Sequence, residues 1–587
     1  MPITTGAKVV ANFLKENKIS HVFDVAGGMI AYLEDEISKL SGIKCSPNHH
    51  EQCCGFAAEG YARMGRNFGV AIATSGPGAT NLITAIGSCF FDSVPAMFIT
   101  GQVNTNDLKK HKNIRQNGFQ ETDIVSVVKS LTKYAKFVIR SEDVLYELEK
   151  AYFIMKDGRP GPVLLDIPID VQRIEIDVKK LKHFFGSPEH KKMLLKKRPT
   201  NISEKVEKLE IMLKRAKAPV VIVGGGIRTS RTQNELHKFV KSNNLPVVCS
   251  LMGLDSFSGV DSNFVGFIGS YGNREANIVL ANADLIISLG SRLDLRQTGN
   301  PKQFATKAAV VHVDVDPYSI NNNVKSRLFF QMDLKDFFHS VKMLKTSAKL
   351  PWVRFIKKVK NNFSKIHLAN KKNNPSLFIS RLSDYCGKDC NIVSDVGNHQ
   401  MWVAQSWRVK PGQRLLFSGG MGSMGFALPA AIGAHFADAD RTTVVVCGDG
   451  GFQMNIQELQ TVRRNKIPLK IFLLNNSSLG MVKDFQTFYF NKNYQSTVVG
   501  YSNPDFKKIA SAYGIDYLAV NHGLQKIDFK RILSSNKAIL VEIKIALHTP
   551  LEPKVIFGKP LDDQYPFLDK KMRQKLDNLK RELQHGK

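Results

Sequence analysis

Short runs rich in β-branched residues recur along this chain, and each leads into a stretch with helical spacing. Val70–Thr74, Ala96–Thr100 and Pro162–Ile167 do so in a first block, from about Thr5 to Arg173. Val220–Val223, Leu285–Leu289 and Val310–Val315 do so in a second, from about Ile202 to Lys345. Thr443–Val446, Lys470–Leu474 and Ile539–Ile543 do so in a third, from about Asn374 to His548. A strand without a polar face needs cover on both sides, and alternation with helices supplies it, so each block predicts a parallel sheet. At 587 residues the chain is too long for one core, in keeping with several domains. Ile174–Pro199, rich in Lys, reads as a linker, and Ser347–Lys372 as a helical connector. After Pro550 comes a charged tail ending in a basic, helix-like segment. Val9, Val10, Phe13 and Leu14 fall at helical spacing, so Met1–Lys18 reads as a first helix and not as a signal peptide.

The formal net charge is +30. That points either to a polyanionic partner or to a lysine-rich surface. The charge is spread, with denser patches at Lys179–Lys197 and at the C-terminus, and no zinc-finger or aromatic RNA-binding signature accompanies it. No nucleic-acid partner is expected. No run of about 18 apolar residues occurs, so no membrane span is expected. Cys53 and Cys54 are adjacent, and three residues separate Cys386 from Cys390, with no matching pair or histidine cluster. Neither a zinc site nor a disulfide framework follows. Free thiols in a cytoplasmic protein are the reading.

Gly448-Asp449-Gly450-Gly451 follows the apolar run Val444–Cys447, and Asn475-Asn476 follows Ile471–Leu474. Each polar cluster therefore sits at the carboxyl end of an expected parallel strand, where open α/β sheets bind ligands. Asp449 and Asn476 both offer hard oxygen ligands suited to Mg²⁺. The glycines let backbone amides approach phosphate oxygens. A Gly-Asp-Gly alone is usually a turn; paired with Asn-Asn at this spacing it resembles the thiamine-diphosphate motif.

A second set lies far upstream. Glu51 stands in His49-His50-Glu51-Gln52, before the helical Ala57-Ala58-Glu59-Gly60-Tyr61-Ala62-Arg63, and Thr74-Ser75-Gly76-Pro77-Gly78-Ala79-Thr80-Asn81 follows. With Gly101-Gln102-Val103, Phe119-Gln120-Glu121, Asp395–Trp402 and Ser418–Gly425, these stretches resemble the acetolactate synthase large-subunit family of thiamine-diphosphate enzymes, in order over roughly residues 5–550. The resemblance implies an α/β fold of three doubly wound parallel-sheet domains: pyrimidine-binding (1–173), middle (200–345) and diphosphate-binding (373–548), with a tail (549–587).

The same resemblance implies the roles. Glu51 hydrogen-bonds the cofactor's aminopyrimidine, in a dry pocket to which Cys53, Cys54, Phe56, Ala57 and Ala58 are suited. Met424 is the wedge that bends the cofactor, with Gly422 nearby. Gly397, Asn398, His399, Gly448, Gly450, Gly451, Leu479, Gly480 and Met481 contact it from the diphosphate side, and Pro77 and Asn81 from the other. Asp449, Asn476 and the Ser478 carbonyl hold Mg²⁺. Gly28, Phe119 and Gln120 face the substrate. Such enzymes share sites between subunits, which implies a homodimer or homotetramer. Whether a separate regulatory subunit is used stays open.

In the middle block Gly224-Gly225-Gly226 follows a strand, a weak phosphate-loop signal. Ser250-Leu251-Met252-Gly253, Gly269-Ser270-Tyr271-Gly272, Gly290-Ser291-Arg292-Leu293-Asp294-Leu295-Arg296 and Asp314-Val315-Asp316-Pro317 are similar to the segments that hold FAD in acetolactate synthases. FAD contacts are therefore expected at Gly224, Gly225, Gly226, Leu251, Met252, Ser270, Gly290, Arg292, Asp294, Arg296 and Asp314.

The resemblance frays around the acceptor. Phe485 stands where the family usually has Trp, Met29 where a smaller residue is usual, and Val482 lies beside them. Asn104–Gly118 is longer than usual and carries Lys109, Lys110, His111, Lys112 and Arg115. The expected reaction is a thiamine-diphosphate- and Mg-dependent carboligation in which pyruvate loses CO2 and its acetyl unit joins a second pyruvate, giving 2-acetolactate. The alternative keeps the donor and hands the acetyl unit to a bulky anionic acceptor, such as a nucleotide-linked keto sugar.

Overall fold

The computed structural model describes residues 3–65, 67–111, 113–195, 201–364, 374–520 and 527–585. The inner ends of both connectors, Lys197 and Pro199 in one and Lys372 in the other, lie outside these, as do residues 200 and 373.

Three six-stranded sheets account for the recurrent apolar runs. The first holds β1 (His21–Val25), β2 (Lys44–Pro47), β3 (Gly69–Ala73), β4 (Ala96–Gln102), β5 (Tyr134–Phe137) and β6 (Val163–Pro168), in spatial order β2-β1-β3-β4-β6-β5. The second holds β7 (Pro219–Val223), β8 (Val247–Cys249), β9 (Phe264–Phe267), β10 (Leu285–Leu289), β11 (Ala309–Asp314) and β12 (Leu328–Gln331), in order β9-β8-β7-β10-β11-β12. The third holds β13 (Cys390–Ser394), β14 (Arg414–Phe417), β15 (Thr442–Gly448), β16 (Lys470–Asn475), β17 (Asp516–Val520) and β18 (Ile539–Lys544), in order β14-β13-β15-β16-β18-β17. Every pairing within these sheets is parallel. Central strands such as β3, β4 and β16 are buried along their whole length, as sheets covered on both faces require.

Counted within each block, the first and third sheets share one order, 2-1-3-4-6-5, while the second runs 3-2-1-4-5-6, the dinucleotide-binding order. In both patterns the connections reverse direction beside the first strand. Loops that leave the carboxyl ends there diverge and open a crevice.

The first and third domains meet through two crossing helices, Glu51–Arg63 and Ala427–Ala437. Each places a glycine where its neighbour's backbone passes. A methyl group on Gly60 would fall 2.0 Å from the Ala430 carbonyl oxygen, and one on Gly433 would fall 1.8 Å from that of Ala57. Phe56 packs edge-on against Phe426 across the same seam.

Three segments differ from the sequence reading. The first helix spans Gly6–Glu16, capped by Thr5, after a short strand Ile3–Thr5 that pairs with Glu175–Asp177. The stretch read as a linker therefore folds onto the first domain as far as it is described: Phe184 is fully buried, and Glu149 accepts the backbone amides of Phe184 and Phe185. The tail folds back too. Its helix Lys570–Gln584 buries Leu576 and Leu579 against the connector helix Leu350–Phe363, whose Trp352 is fully buried. Apolar residues at helical spacing decide the tail, whereas a single aromatic in a bend, Phe184, anchors the linker.

Candidate active site

The loops after the first four strands of the first domain carry its candidate residues. Gly28 opens a short turn after β1, and Glu51 starts the helix after β2. Pro77 and Asn81 belong to the short helix after β3, and Phe119 and Gln120 follow β4. Asn81 Nδ2 donates to Glu51 Oε2 at 2.9 Å, which fixes the carboxylate and leaves its other oxygen beside Gly78. Gln120 holds a left-handed backbone (φ +66°) against Gly76, a strained conformation for a residue with a side chain. Phe119 is 77% exposed. Cys54, Phe56, Ala57 and Ala58 belong to the cores that join the helix to its own sheet and to the third domain.

The third domain repeats the arrangement with different chemistry. Gly397, Asn398 and His399 follow β13, Gly422 and Met424 follow β14, Gly448–Gly451 close β15, and Asn476–Met481 follow β16. The structure draws these together. A methyl group on Gly480 would fall 2.6 Å from Asn476 Nδ2 and 2.9 Å from Asn398 Nδ2. Met424, Leu479 and Tyr501 close in around Gly450, and His399 lies against Gly397 and Gly448. Asp449 accepts from the Tyr501 hydroxyl at 2.8 Å and from the Asn476 amide at 3.4 Å. Asn476 Oδ1 accepts from the Ser478 amide, and Ser477 between them is left-handed (φ +52°).

Electrostatics separate this half from an ordinary turn. Asp449 is buried among neutral partners, and burial pushes its carboxyl above the usual range. Burial drives His399 down to about 3, so its imidazole is neutral. Burial also lifts Asp395 to about 6, although it accepts the amides of Val396, Gly425 and Ala427. Around them both side-chain polar atoms of Asn398, Nε2 of His399, Oγ of Ser423 and Oγ of Ser478 are buried without a hydrogen-bond partner. Most buried polar groups in folded proteins are paired, and here several unpartnered ones gather in one place, an arrangement that suits a polar ligand. Tyr501 and Ser423 are functional candidates that the sequence reading missed. Tyr501 reaches Asp449 from a loop with no local signature.

Among the described residues no hydrogen bond or ion pair joins Glu51 or Asn81 to Asp449, Asn476 or Met424.

The middle domain opens a cleft of about 900 Å³ at the carboxyl ends of its strands. Gly225, Gly226, Leu251, Met252, Gly290, Arg292, Asp294, Arg296 and Asp314 line it. Gly224 and Ser270 do not. The Gly224 amide donates to Leu289 and that of Gly226 to Gly290, so the triple glycine seats two loops against each other more than it presents amides. Ser270 turns its carbonyl to the amide of Val555, and Tyr271 lines the cleft in its place. Arg159 and Asp92 from the first domain and Arg414 from the third complete the lining. No sequence-local motif could have placed them there.

On the acceptor side, Val482 and Phe485 are half exposed on the helix Gly480–Tyr489. The Met29 amide donates to Thr74 and its carbonyl accepts from Gln172. In the Asn104–Gly118 loop Glu121 accepts the amides of Lys109 and Asn117, leaving Lys110 and Arg115 exposed. Lys112 lies outside the described residues. No described helix is long and apolar enough to cross a membrane.

Comparison with known proteins agrees with this layout. The thiamine pyrophosphate enzyme N-terminal TPP binding domain matches residues 4–127, the central domain 206–341, and the C-terminal TPP binding domain 395–543. The chain is 34% identical to the acetolactate synthase large subunit of Lactococcus lactis subsp. lactis (strain IL1403), over 95% of this chain and 96% of that protein. It is 36% identical to the acetolactate synthase isozyme 2 large subunit of Escherichia coli (strain K12), over 87% and 90%. It is 34% identical to acetolactate synthase 1, chloroplastic, of Zea mays, over 95% and 88%.

Proposed function

The chain belongs to the thiamine pyrophosphate enzymes, in the acetolactate synthase large-subunit family, and on that premise we propose that it decarboxylates pyruvate and joins the acetyl unit to a second pyruvate, giving 2-acetolactate and CO2. The observation that carries this reading is the set of unpartnered buried groups of Asn398, His399, Ser423 and Ser478 beside a buried, uncompensated Asp449. A diphosphate with a divalent cation suits both features. Asp449, Asn476 and the Ser478 carbonyl would hold the cation through the oxygen ligands that Mg²⁺ prefers, and its charge would compensate Asp449. Asn398, His399 and Ser423, with the amides of Gly450, Gly451, Gly480 and Met481, would supply contacts to the phosphates, while the Leu479 amide donates to the Thr497 carbonyl and leaves its side chain to face Gly450.

When bound, thiamine diphosphate supplies the carbanion chemistry of decarboxylation and transfer. The chain's own residues place it. Met424, close to Gly450, would pack against the cofactor's middle. Glu51, held by Asn81, would hold a proton at its carboxylate for the pyrimidine end. Gly28, Phe119 and Gln120 border the reacting carbonyl. In line with the family resemblance, the complete site is proposed to form between two subunits, as a homodimer or a pair of them.

The middle cleft is of dinucleotide size, and its arginines suit a second diphosphate. FAD is the proposed occupant. The overall reaction is redox-neutral, so its part is to hold three domains together, and the purified protein should release flavin absorbance on denaturation. All eight cysteines are unbridged, which supports a reducing, cytoplasmic setting.

The deciding experiment supplies pyruvate, Mg²⁺, thiamine diphosphate and FAD, then identifies the carbon products. 2-Acetolactate with CO2 in equal amounts is expected. Acetaldehyde as the main product overturns the carboligase reading. Preferential transfer to a nucleotide-linked keto sugar, when one is added, favours the alternative acceptor.

A further inference from the structure

The helix Gly480–Tyr489 begins in the cofactor half-site and carries Val482, Phe485 and Tyr489 along one face, at the three- and four-residue spacing that aligns side chains. Phe485 sits roughly 8 Å along the axis from Gly480, and Tyr489 one turn further. All three are half exposed.

That face does not end in solvent. The tail crosses it and is tied to the helix turn by turn. Lys483 Nζ donates to the Leu547 carbonyl. Asp484 accepts the Leu551 amide and pairs with Lys554 at 3.4 Å, both side chains nearly buried. Lys554 Nζ also lies 4.1 Å from the centre of the Phe488 ring. The Phe557 amide donates to the Tyr489 hydroxyl at 2.9 Å. The Phe557 ring stacks on Tyr489 at 4.9 Å and meets Phe485 edge-on at 5.8 Å.

The far side of the tail is anchored as firmly, on the middle domain. Val555 N donates to Ser270 O, Gln564 Nε2 to Gly272 O, and Gln405 Nε2 reaches both Tyr271 O and Pro553 O. Arg274 holds the carbonyls of Gln564 and Pro566. Phe557 is 73% exposed, yet the backbone beneath it is held from two domains. A large apolar ring on so constrained a segment, stacked on the face that carries Phe485, is costly to leave facing water and well placed to bound a ligand.

We propose that Phe557 is a specificity-determining residue for the acceptor: stacked on Tyr489 and set edge-on to Phe485, it closes the far wall of the acceptor pocket and limits the length of the second keto acid. This rests on the carboligase reading above. The pocket wall is then built from two distant parts of the chain, and the smaller Phe485 is completed by a ring from the tail.

The test uses the full-length protein with thiamine diphosphate, Mg²⁺ and FAD, and lets pyruvate compete with 2-oxobutanoate, one methylene longer, as acceptor. Phe557→Ala should raise the ratio of longer to shorter product by about tenfold, the scale at which apolar pockets resolve one methylene. Phe557→Trp should lower it. Tyr489→Phe, which frees the Phe557 amide but keeps the stack, should shift the ratio the same way as Phe557→Ala, by less. A tail that only braces the fold would lower both products together and leave the ratio alone. A ratio within twofold of wild type in the Ala and Trp variants overturns the inference while 2-acetolactate formation by the wild type still upholds the carboligase. Absence of any acetohydroxy acid from the wild type instead removes the carboligase reading and this inference with it.

Discussion

The first and third domains share one strand order and place their candidate residues on loops after the same four strands, yet they have been given opposite polar endowments. In the third, unpartnered buried groups gather at Asn398, His399, Ser423 and Ser478. In the first, Glu51 is already partnered by Asn81, and the unpartnered buried atoms on its candidate loops, Asn48 Oδ1, Ser75 Oγ and Asn104 Oδ1, come one to a loop. The scaffold sets where a ligand lies, beside the first strand where connections reverse. The loop residues decide which end of a ligand each copy takes. An anionic, metal-bound end suits a site crowded with donors, and a neutral heteroaromatic end suits a single fixed carboxylate.

If the halves are specialised in this way, removing the key carboxylate from each should fail differently. Asp449→Ala takes the charge from the oxygen site and should abolish Mg²⁺-dependent binding of thiamine diphosphate in a calorimetric titration. Unchanged affinity would mean that the third domain's donors serve something else. Glu51→Gln should retain binding and lose CO2 release from pyruvate by about 10²–10⁴-fold, the range typical of a positioned proton-transfer group. Near-normal release would erase the distinction between the halves.

Asp449 could be read in the sequence because it stands in a local motif after an apolar run, Glu51 only because the stretches around it resemble the family, and the three sheets followed from apolar runs. What could not be read was set by long-range packing. The identical order of the first and third sheets leaves no shared residues to detect, because a sheet order needs only apolar strands of the right length. Tyr501 reaches Asp449, Arg159 the middle cleft and Phe557 the Phe485 face from segments without any motif of their own. Ile174–Pro199 reads as a linker because it is rich in Lys and broken by Gly186, Pro188 and Pro199, yet Phe184 finds a full pocket.

The seam between the first and third domains offers a third test. Gly433→Ala would drive a methyl group into the Ala57 carbonyl, a backbone atom that cannot swing aside, and should lower stability by about 1–3 kcal/mol. Gly28→Ala meets nothing within 4 Å and should leave the melting temperature unchanged. Equal melting temperatures for both variants would show that the crossing helices can slide apart, and that the two halves are less rigidly coupled than their packing implies.

The smallest effect concerns a carboxylate that both copies carry at the fourth residue of their sixth strand, Asp166 in β6 and Glu542 in β18. Glu542 accepts from the Asn475 amide group and the Tyr517 hydroxyl, at 2.7 and 2.6 Å. Asp166 accepts from Thr100 Oγ1 and Gln102 Nε2, at 2.7 and 3.1 Å, in a setting so buried that its carboxyl is pushed up to about 7. Unfolded, it titrates near 3.8. The folded state therefore binds the extra proton between these values, and the stability conferred by the protonated form, complete below about pH 4, is lost as pH rises through 7. Asp166→Asn keeps both contacts, with its amide nitrogen donating to Thr100 and its oxygen accepting from Gln102, and carries no charge to bury. It should match the wild type near pH 4 and exceed it by roughly 1–3 kcal/mol at pH 8, with the gap opening between pH 4 and 7. Urea midpoints across that range give the comparison. Parallel curves would mean that the charged form of Asp166 is as well accommodated as its neutral one, and that the two copies do not differ at this position.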